Sequence, residues 1–489
     1  MKGQFDFIIV GGGAAAFAAS TRANELGAKT AMINAGLPLG GTCINVGCIP
    51  TKHLLELGNL IYYGQHHEFG SLKFGPARFD FPKAILEKNI LLDELRKANY
   101  TDVLENQPHT KLFEGYGRFV NEHEIEVNGQ HLRGEKILIA TGSSLNIVSI
   151  DGLDTVEYLT NQTILELEKL PASLIVIGAG PLGLEFAQMF THFGTKVTVI
   201  EVANQILPLS DPTISRELHR CLTNEGIEIL TNVKTQRIWR EGKVKRANVM
   251  INGKSHNLKA EHILLATGVI GNIDNLGLEE VGVETNGGSY IRVDEFYQTN
   301  LDHIYAAGDV IGPPFLEAVA AKEGYLATGN ALNNEKRTIN YLEVPYAVFT
   351  SPQVAGVGVS EKEYLKRYGT CYCRTVYMNQ VPKALAVKKT RGVIKMTIHH
   401  ETDKIMGVEI VAPLAADMIH EAALAIKFDL TIDDIIDTVH VFPTFSEAIK
   451  LVAQAYTRDI SKMSCCITVS YTHLRAHETR HDLVCRLLL

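Results

Sequence analysis

Gly40-Gly41-Thr42-Cys43-Ile44-Asn45-Val46-Gly47-Cys48-Ile49-Pro50-Thr51-Lys52 sets two cysteines with four residues between them, with glycines before and between them and a proline soon after the second. Such a pair at the opening of a helix has the reach to close a small disulfide. The helix N-terminus then stabilises a thiolate when the disulfide opens. What turns this stretch from a glycine-rich turn into a redox candidate is its surroundings, because a nucleotide-binding loop flanks it on each side.

Upstream, Phe7-Ile8-Ile9-Val10 has the continuous apolar character of a buried strand, and Gly11-Gly12-Gly13-Ala14-Ala15-Ala16 follows it. In this G-x-G-x-x-A, Gly11 serves the turn, Gly13 the close approach of a pyrophosphate, and Ala16 the packing of helix on strand. A second strand, Lys29-Thr30-Ala31-Met32-Ile33, ends at Asn34, where an acidic residue commonly holds a ribose. Asn34 can hydrogen-bond a hydroxyl and is kept as a cofactor contact. Residues 53–135 read as helices with a polar middle, then short strands around Tyr116 to Val127. Ile137-Leu138-Ile139-Ala140-Thr141-Gly142 closes the unit.

Downstream the chain repeats itself. Leu174-Ile175-Val176-Ile177 runs into Gly178-Ala179-Gly180-Pro181-Leu182-Gly183, a full G-x-G-x-x-G, and the strand Lys196 to Ile200 ends at Glu201. Gly11 to Asn34 and Gly178 to Glu201 each span 23 residues, so the two units share one geometry. Leu264-Leu265-Ala266-Thr267-Gly268 echoes the segment that ends at Thr141 and Gly142. An internal duplication of this kind predicts two dinucleotide sites, and two on one chain suit electron transfer between cofactors.

With these loops in place, the segment around Cys43 and Cys48 resembles the redox-active loop of the two-dinucleotide flavoprotein disulfide reductases, and most closely that of the mercuric reductases. The resemblance covers residues 5–466. It implies an α/β fold with two Rossmann-like dinucleotide-binding domains and a C-terminal α+β dimerisation domain. The FAD-binding domain is expected at 1–150 and 271–343, the NAD(P)-binding domain at 151–270 and the interface domain at 344–466. By the same resemblance, Cys48 is the thiol next to the flavin and Cys43 the exchanging thiol, with Gly41 and Thr42 on the cofactor side of the loop. Lys52 and Glu185 are the ion pair near the flavin, and Tyr158 is an active-site tyrosine. Asp309, at the end of Ile304-Tyr305-Ala306-Ala307-Gly308-Asp309, hydrogen-bonds the flavin side chain.

Two departures bear on the substrate. Disulfide reductases carry H-x-H-P-T-x-S-E near the C-terminus, whose second histidine protonates the leaving thiolate and whose glutamate orients it. Here the run is His440-Val441-Phe442-Pro443-Thr444-Phe445-Ser446-Glu447, so Phe442 stands at the general-acid position and Glu447 lacks its partner. Thr444 stands where many members have a second tyrosine. Further on, Cys465-Cys466 resembles the C-terminal pair with which mercuric reductases collect Hg(II) for the partner subunit's Cys43–Cys48 site. Soft thiolates select a soft metal, and passing an ion between dithiols needs no general acid. The implied activity is FAD-dependent reduction of Hg(II) to Hg(0) by NADH or NADPH in a homodimer. NADH is expected to be preferred, because the Glu201 carboxylate suits a ribose 2′-hydroxyl and repels a 2′-phosphate. The alternatives are a lipoamide or other disulfide reductase, against which Phe442 weighs, and a non-enzymatic soft-metal-sequestering protein, against which the two nucleotide loops weigh.

Composition agrees with this outline. A chain of 489 residues exceeds one core and predicts several domains. A net charge of −8 suggests neither nucleic acid nor an anionic membrane as partner, and no apolar run approaches a membrane span. Eight cysteines in this length do not make a secreted disulfide framework, and a cytoplasmic protein with functional thiols is expected. Cys371 and Cys373 alternate along a predicted strand and read mainly as core packing, with a metal contact as the alternative, while Cys221 reads as an inert helical residue. His477-Glu478-Thr479-Arg480-His481 has the metalloprotease spacing, but it lies in a basic tail, 467–489, without apolar periodicity. That tail is expected to be disordered or non-native.

Overall fold

The structure is a computed structural model that describes residues 3–463; Cys465, Cys466 and the segment 467–489 lie outside them. Strand β1 (Gly3–Val10) is buried over its last four residues, and helix α1 (Ala14–Glu25) and strand β2 (Thr30–Asn34) complete the first strand–helix–strand unit. β1 pairs in parallel with β2 on one side and with the strand Gln130–Ile139 on the other. Strands of this kind are covered on both faces, which explains why they read as unbroken apolar runs. The short strand Ile304–Ala306 also pairs in parallel with Gln130–Ile139. The chain therefore returns to the first sheet after building the second unit, which places Asp309 over the end of that sheet.

The second unit repeats the pattern. Four parallel strands lie in the order Glu228–Leu230, Lys196–Ile200, Ser173–Ile177, His262–Leu265. An antiparallel three-stranded sheet, Lys234–Glu241, Val244–Ile251 and Lys254–Ala260, covers one side. The C-terminal part is a five-stranded antiparallel sheet in the order Tyr346–Val348, Gln353–Gly358, Ile405–Ala412, Val393–Ile398, Cys373–Tyr377, with the helix Ala415–Lys427 packed on it. The two nucleotide-binding units and the C-terminal α+β part are the architecture that the duplication and the resemblance predict.

Helix α2 (Gly41–Val46) and helix α3 (Cys48–Gln65) carry the cysteine pair, and Gly47 separates them. Leu54 and Leu55 of α3 pack in one core with Phe186 and Phe190 of the helix Pro181–Phe193 and with Val354 and Val411 of the C-terminal sheet. Burying such side chains contributes about 1.5–3 kcal/mol each. A single apolar core thus ties the cysteine-bearing helix to both later parts of the chain. Among the described residues, no helix is long and apolar enough to cross a membrane.

Cys371 and Cys373 depart from expectation. They are bonded to each other and half-buried instead of packed in the core. The reason is position: Cys373 opens the edge strand of the C-terminal sheet and Cys371 lies in the loop before it. Cys221 is fully buried in the helix Pro212–Asn224, and burial pushes its thiol up to about 12, which suits an inert residue.

Candidate active site

The cysteine loop is locked onto the first nucleotide loop through the backbone. Gly40 N–H donates to Gly12 O at 2.8 Å. Gly41 has φ of +61°, and a Cβ there would lie 2.7 Å from Gly13 Cα, so only glycine permits this approach. Asn45 completes the lock. Its Nδ2 donates to Gly41 O at 2.8 Å and to Pro38 O at 3.0 Å, while its Oδ1 accepts from Arg96 Nε at 2.9 Å. The spacing that reads as a redox motif is also what closes a tight turn against a phosphate-binding loop.

Both thiols are free, half-buried and hydrogen-bonded to each other. Cys48 opens the 18-residue helix α3, and Lys52 stands one turn further on. The hydrogen bond from the Cys43 thiol, assisted by the Lys52 charge, brings Cys48 down to about 7, against the opposing cost of burial. Cys43 moves the other way, because it keeps the proton that it donates to Cys48. One sulfur is therefore a thiolate near neutrality and its neighbour a thiol.

Lys52 Nζ binds Glu185 Oε2 at 2.7 Å and lies 4.5 Å from the Phe349 ring centroid. Glu185 is buried, and its Oε1 accepts from the Phe349 N–H at 2.9 Å. The ion pair expected from the motif positions is thus present. It joins α3, the helix of the second nucleotide loop and the start of the C-terminal part.

Tyr158 is half-buried in the second nucleotide unit, on the segment whose Asn161 donates to Val46 O of the cysteine loop at 3.1 Å. The Tyr158 ring packs against the apolar core of that unit. A tyrosine that stands beside the thiols is Tyr100, which sequence reading passed over. Its ring lies over Gly40 and edge-on to Phe17, and burial followed by the neighbouring Cys43 pushes its phenol up to about 12. Tyr100 sits in a π-helical turn, Lys97–Thr101, just after Arg96, which holds Asn45. Such turns favour functional positions, but nothing in the local sequence spells one.

The first nucleotide site fits FAD. Helix α1 begins with no side-chain cap and no acidic residue in its first turn, leaving its N–H groups for a pyrophosphate. Asp309 is held by the Ser143 hydroxyl, which donates to its Oδ2 at 2.6 Å, and burial raises its carboxyl. Thr141 and Gly142 are linked to Asn272, through the Thr141 hydroxyl on Asn272 O at 2.8 Å and the Asn272 N–H on Gly142 O at 2.9 Å. Asn34 closes β2, and its Nδ2 donates to Leu37 O at 3.2 Å. Thr42 is exposed at the mouth of the loop.

The second site fits a nicotinamide dinucleotide. A cleft of about 410 Å³ is lined by Gly178, Gly180, Glu201, Lys234, Thr267 and Gly268. Gly178 has φ of +110°, and a Cβ there would strike Ala266 O at 2.2 Å; a Cβ on Gly180 would meet nothing and faces open space. Gly183 follows in the first turn of the helix Pro181–Phe193, which also starts without a side-chain cap. Glu201 is buried, with its two oxygens accepting from the N–H groups of Ala179 and Ala203 at 2.7 and 2.8 Å. Lys234 is a cation that inspection of the residues just after Glu201 does not reveal, since it arrives from a later strand.

At the C-terminal site, Phe442 is 51% exposed, together with Val439 and Val441. His440 is committed elsewhere, its Nε2 lying 2.8 Å from Glu421 Oε1, and that carboxylate raises its pKa. Glu447 Oε2 is buried without a hydrogen-bond partner, and burial raises its carboxyl. This is the state expected of an orienting carboxylate whose histidine is missing.

The pyridine nucleotide-disulphide oxidoreductase family profile matches residues 5–324, and the dimerisation-domain profile of the same family matches residues 344–453. The chain is 38% identical over 464 residues to a mercuric reductase of Lysinibacillus sphaericus, covering 95% of this chain and 84% of that one. It is 34% identical to dihydrolipoyl dehydrogenase 2, mitochondrial, of Arabidopsis thaliana, covering 92% of this chain and 90% of that one. Among solved structures, the Cu(II) complex of the HOCl-induced flavoprotein disulfide reductase RclA from Escherichia coli superposes with a TM-score of 0.83 at 27% identity. That superposition covers 92% of this chain and 99% of the other.

Proposed function

The chain belongs to the pyridine nucleotide-disulphide oxidoreductases, and from that premise we propose that it reduces Hg(II) to Hg(0) with electrons from NADH at Cys43 and Cys48. The observation that carries the proposal is Phe442, an exposed apolar ring at the position where a disulfide substrate needs a proton donor. Mercuric reductases stand among the relatives at 36–38% identity, which supports the same choice. The test is anaerobic NADH plus Hg(II) with purified protein, following both cofactor oxidation and release of volatile mercury. Cofactor oxidation without volatile mercury would refute the substrate.

FAD, when bound, supplies the relay of two electrons from the nicotinamide to the sulfur site. The chain's own residues do the rest. Cys48 as thiolate and Cys43 after loss of its proton offer two soft ligands to Hg(II). Two electrons convert the bound ion to Hg(0), and both sulfurs remain as thiolates, so no leaving thiolate has to be protonated. Lys52, fixed by Glu185, keeps a positive charge beside these sulfurs. Tyr100 flanks Cys43 and supplies a phenol that stays protonated at neutral pH. The matched dimerisation domain supports a homodimer, and the exposed Val439, Val441 and Phe442 would face the partner's site in it.

A disulfide-reductase alternative makes a distinct prediction. General acid catalysis contributes about 10²–10⁴-fold, so lipoamide and glutathione disulfide are expected to be poor substrates. Phe442→His restores a donor next to the unpartnered Glu447 and should raise lipoamide reduction by roughly 10²-fold. Ordinary enzymatic rates with lipoamide in the unmodified protein would favour the alternative.

Cofactor choice follows from Glu201. Its carboxylate accepts from a ribose 2′-hydroxyl but repels a 2′-phosphate by up to about 4 kcal/mol per charge pair at ~4 Å and an effective dielectric of ~20. Lys234 in the same cleft offsets part of this. NADH is expected to have at least a roughly tenfold higher kcat/KM than NADPH, corresponding to about 1.4 kcal/mol. Steady-state kinetics with both cofactors decide the matter, and parity would overturn the expectation.

A further inference from the structure

Cys371, Cys373 and Glu361 form a cluster well apart in sequence from the residues assigned above. Their ligating atoms, two sulfurs and one carboxylate oxygen, lie within 4.8 Å of one another, and all three residues are half-buried. We propose that they make a second, redox-gated site, which holds a soft divalent metal ion as a dithiolate–carboxylate set and is closed when the sulfurs join as a disulfide. The proposal is independent of the substrate assigned to Cys43 and Cys48.

The fold assembles this donor set from three directions. Glu361 is the first residue of the helix Glu361–Tyr368, whose start is fixed by a capping box between Ser360 and Glu363. Cys373 begins the edge strand, which among the described residues pairs on one side only, and Cys371 lies two residues before it. Glu361 Oε1 lies 2.8 Å from Cys371 Sγ and 3.4 Å from Cys373 Sγ. A disulfide sulfur has no proton to donate, so in the oxidised form this oxygen faces two acceptors without compensation. In the reduced form a thiol proton or a cation between the atoms turns the same contacts attractive. The carboxylate cannot simply turn away, because its other oxygen is bound by Lys395, which also binds Asp211 Oδ2 at 2.7 Å.

The charges balance. Exchanging two thiol protons for one dication leaves the net charge of the cluster unchanged, so the surrounding Lys395–Asp211 pair needs no rearrangement. Two thiolates and one carboxylate favour a thiophilic, tetrahedral ion such as Zn(II) or Cd(II), with solvent in the fourth position, since the edge is partly open. On oxidation by a small-molecule disulfide, each of that molecule's sulfurs takes up one electron from a protein thiolate and one proton from solvent to leave as a thiol. Cys371 and Cys373 become bonded, and the metal is released.

The experiment uses the full-length flavoprotein, reduced, freed of reductant without oxygen and titrated with Cd(II) as the probe. Bound cadmium per chain and the ultraviolet thiolate-to-cadmium absorption are measured for the unmodified protein, Cys371→Ser/Cys373→Ser and Glu361→Gln. The other six cysteines are common to all three. The double variant should bind one equivalent fewer and keep its NADH-driven Hg(II) turnover. Glu361→Gln should keep the equivalent with affinity lowered at least roughly tenfold. Pretreatment with oxidised glutathione should cross-link Cys371 to Cys373, seen by peptide mapping, and remove the same equivalent. Equal cadmium binding by the unmodified protein and the double variant overturns the site. If the double variant fails to fold, unchanged affinity in Glu361→Gln overturns it instead.

Discussion

Cys48→Ala is expected to lower NADH-driven Hg(II) reduction by about 10³-fold or more, the scale on which loss of a central sulfur or oxygen nucleophile is felt, while the protein stays folded and binds its flavin. The reason lies in the asymmetry of the pair. Cys48 is brought down to about 7 by the Cys43 hydrogen bond and by Lys52, while Cys43 keeps its proton. A depressed thiol is ionised above its pKa and protonated below it, so capture of Hg(II) should weaken as pH falls through about 7. Alkylation with iodoacetamide, quantified on the Cys48 peptide, should show the same midpoint, whereas an unperturbed thiol titrates at about 8.5. Cys43→Ala removes the larger cause and should move that midpoint up further than Lys52→Met does. A midpoint in the ordinary thiol range in the unmodified protein would contradict the assignment of Cys48 as the resting thiolate. Cys48→Ala with near-normal turnover would remove the sulfur pair from the mechanism altogether.

How much of this was legible in the sequence depends on whether the signal was local. The glycine loops were legible because a pyrophosphate site needs backbone approach at fixed spacing, and Gly11, Gly13, Gly178 and Gly180 state it directly. The apolar strands feeding them were legible because strands covered on both faces must be apolar throughout. The Lys52–Glu185 pair was accessible only through family resemblance, since 133 residues separate its members. Tyr100 was missed for the converse reason. Its place beside Cys43 is set by a π-helical turn after Arg96, and no residue pattern announces that turn. The same holds for Lys234, which reaches the cofactor cleft from a separate antiparallel sheet. Cys371 and Cys373 were misread because alternation along a strand says which face a side chain takes but not whether the strand is an edge.

Replacing Cys465 and Cys466 together with Ala is expected to abolish most turnover of thiol-bound Hg(II) while leaving NADH-to-flavin transfer unchanged. Mercury presented by small thiols already has two sulfur ligands, and accepting it requires accessible thiolates that displace them. Cys43 and Cys48 are half-buried in a loop locked against the first nucleotide loop, which is a poor place for that exchange. Cys465 and Cys466 come two and three residues after the last described residue, Met463, and the turn before it, Ile460–Lys462, rests on the core of the C-terminal part through Ile460. A family whose C-terminal domain dimerises offers these thiols a partner's redox site. In a two-fold dimer the delivery is therefore expected to occur in trans. Mixing the Cys465→Ala/Cys466→Ala chain with a Cys43→Ala/Cys48→Ala chain tests this directly. Each parent is inactive towards thiol-bound Hg(II), but each heterodimer holds one site with all four thiols. With free exchange half the dimers are mixed and half of their sites complete, so activity should return to about a quarter of the unmodified level. Delivery in cis would give no recovery on mixing, and normal turnover by the Cys465→Ala/Cys466→Ala protein alone would show that the pair has no part in delivery.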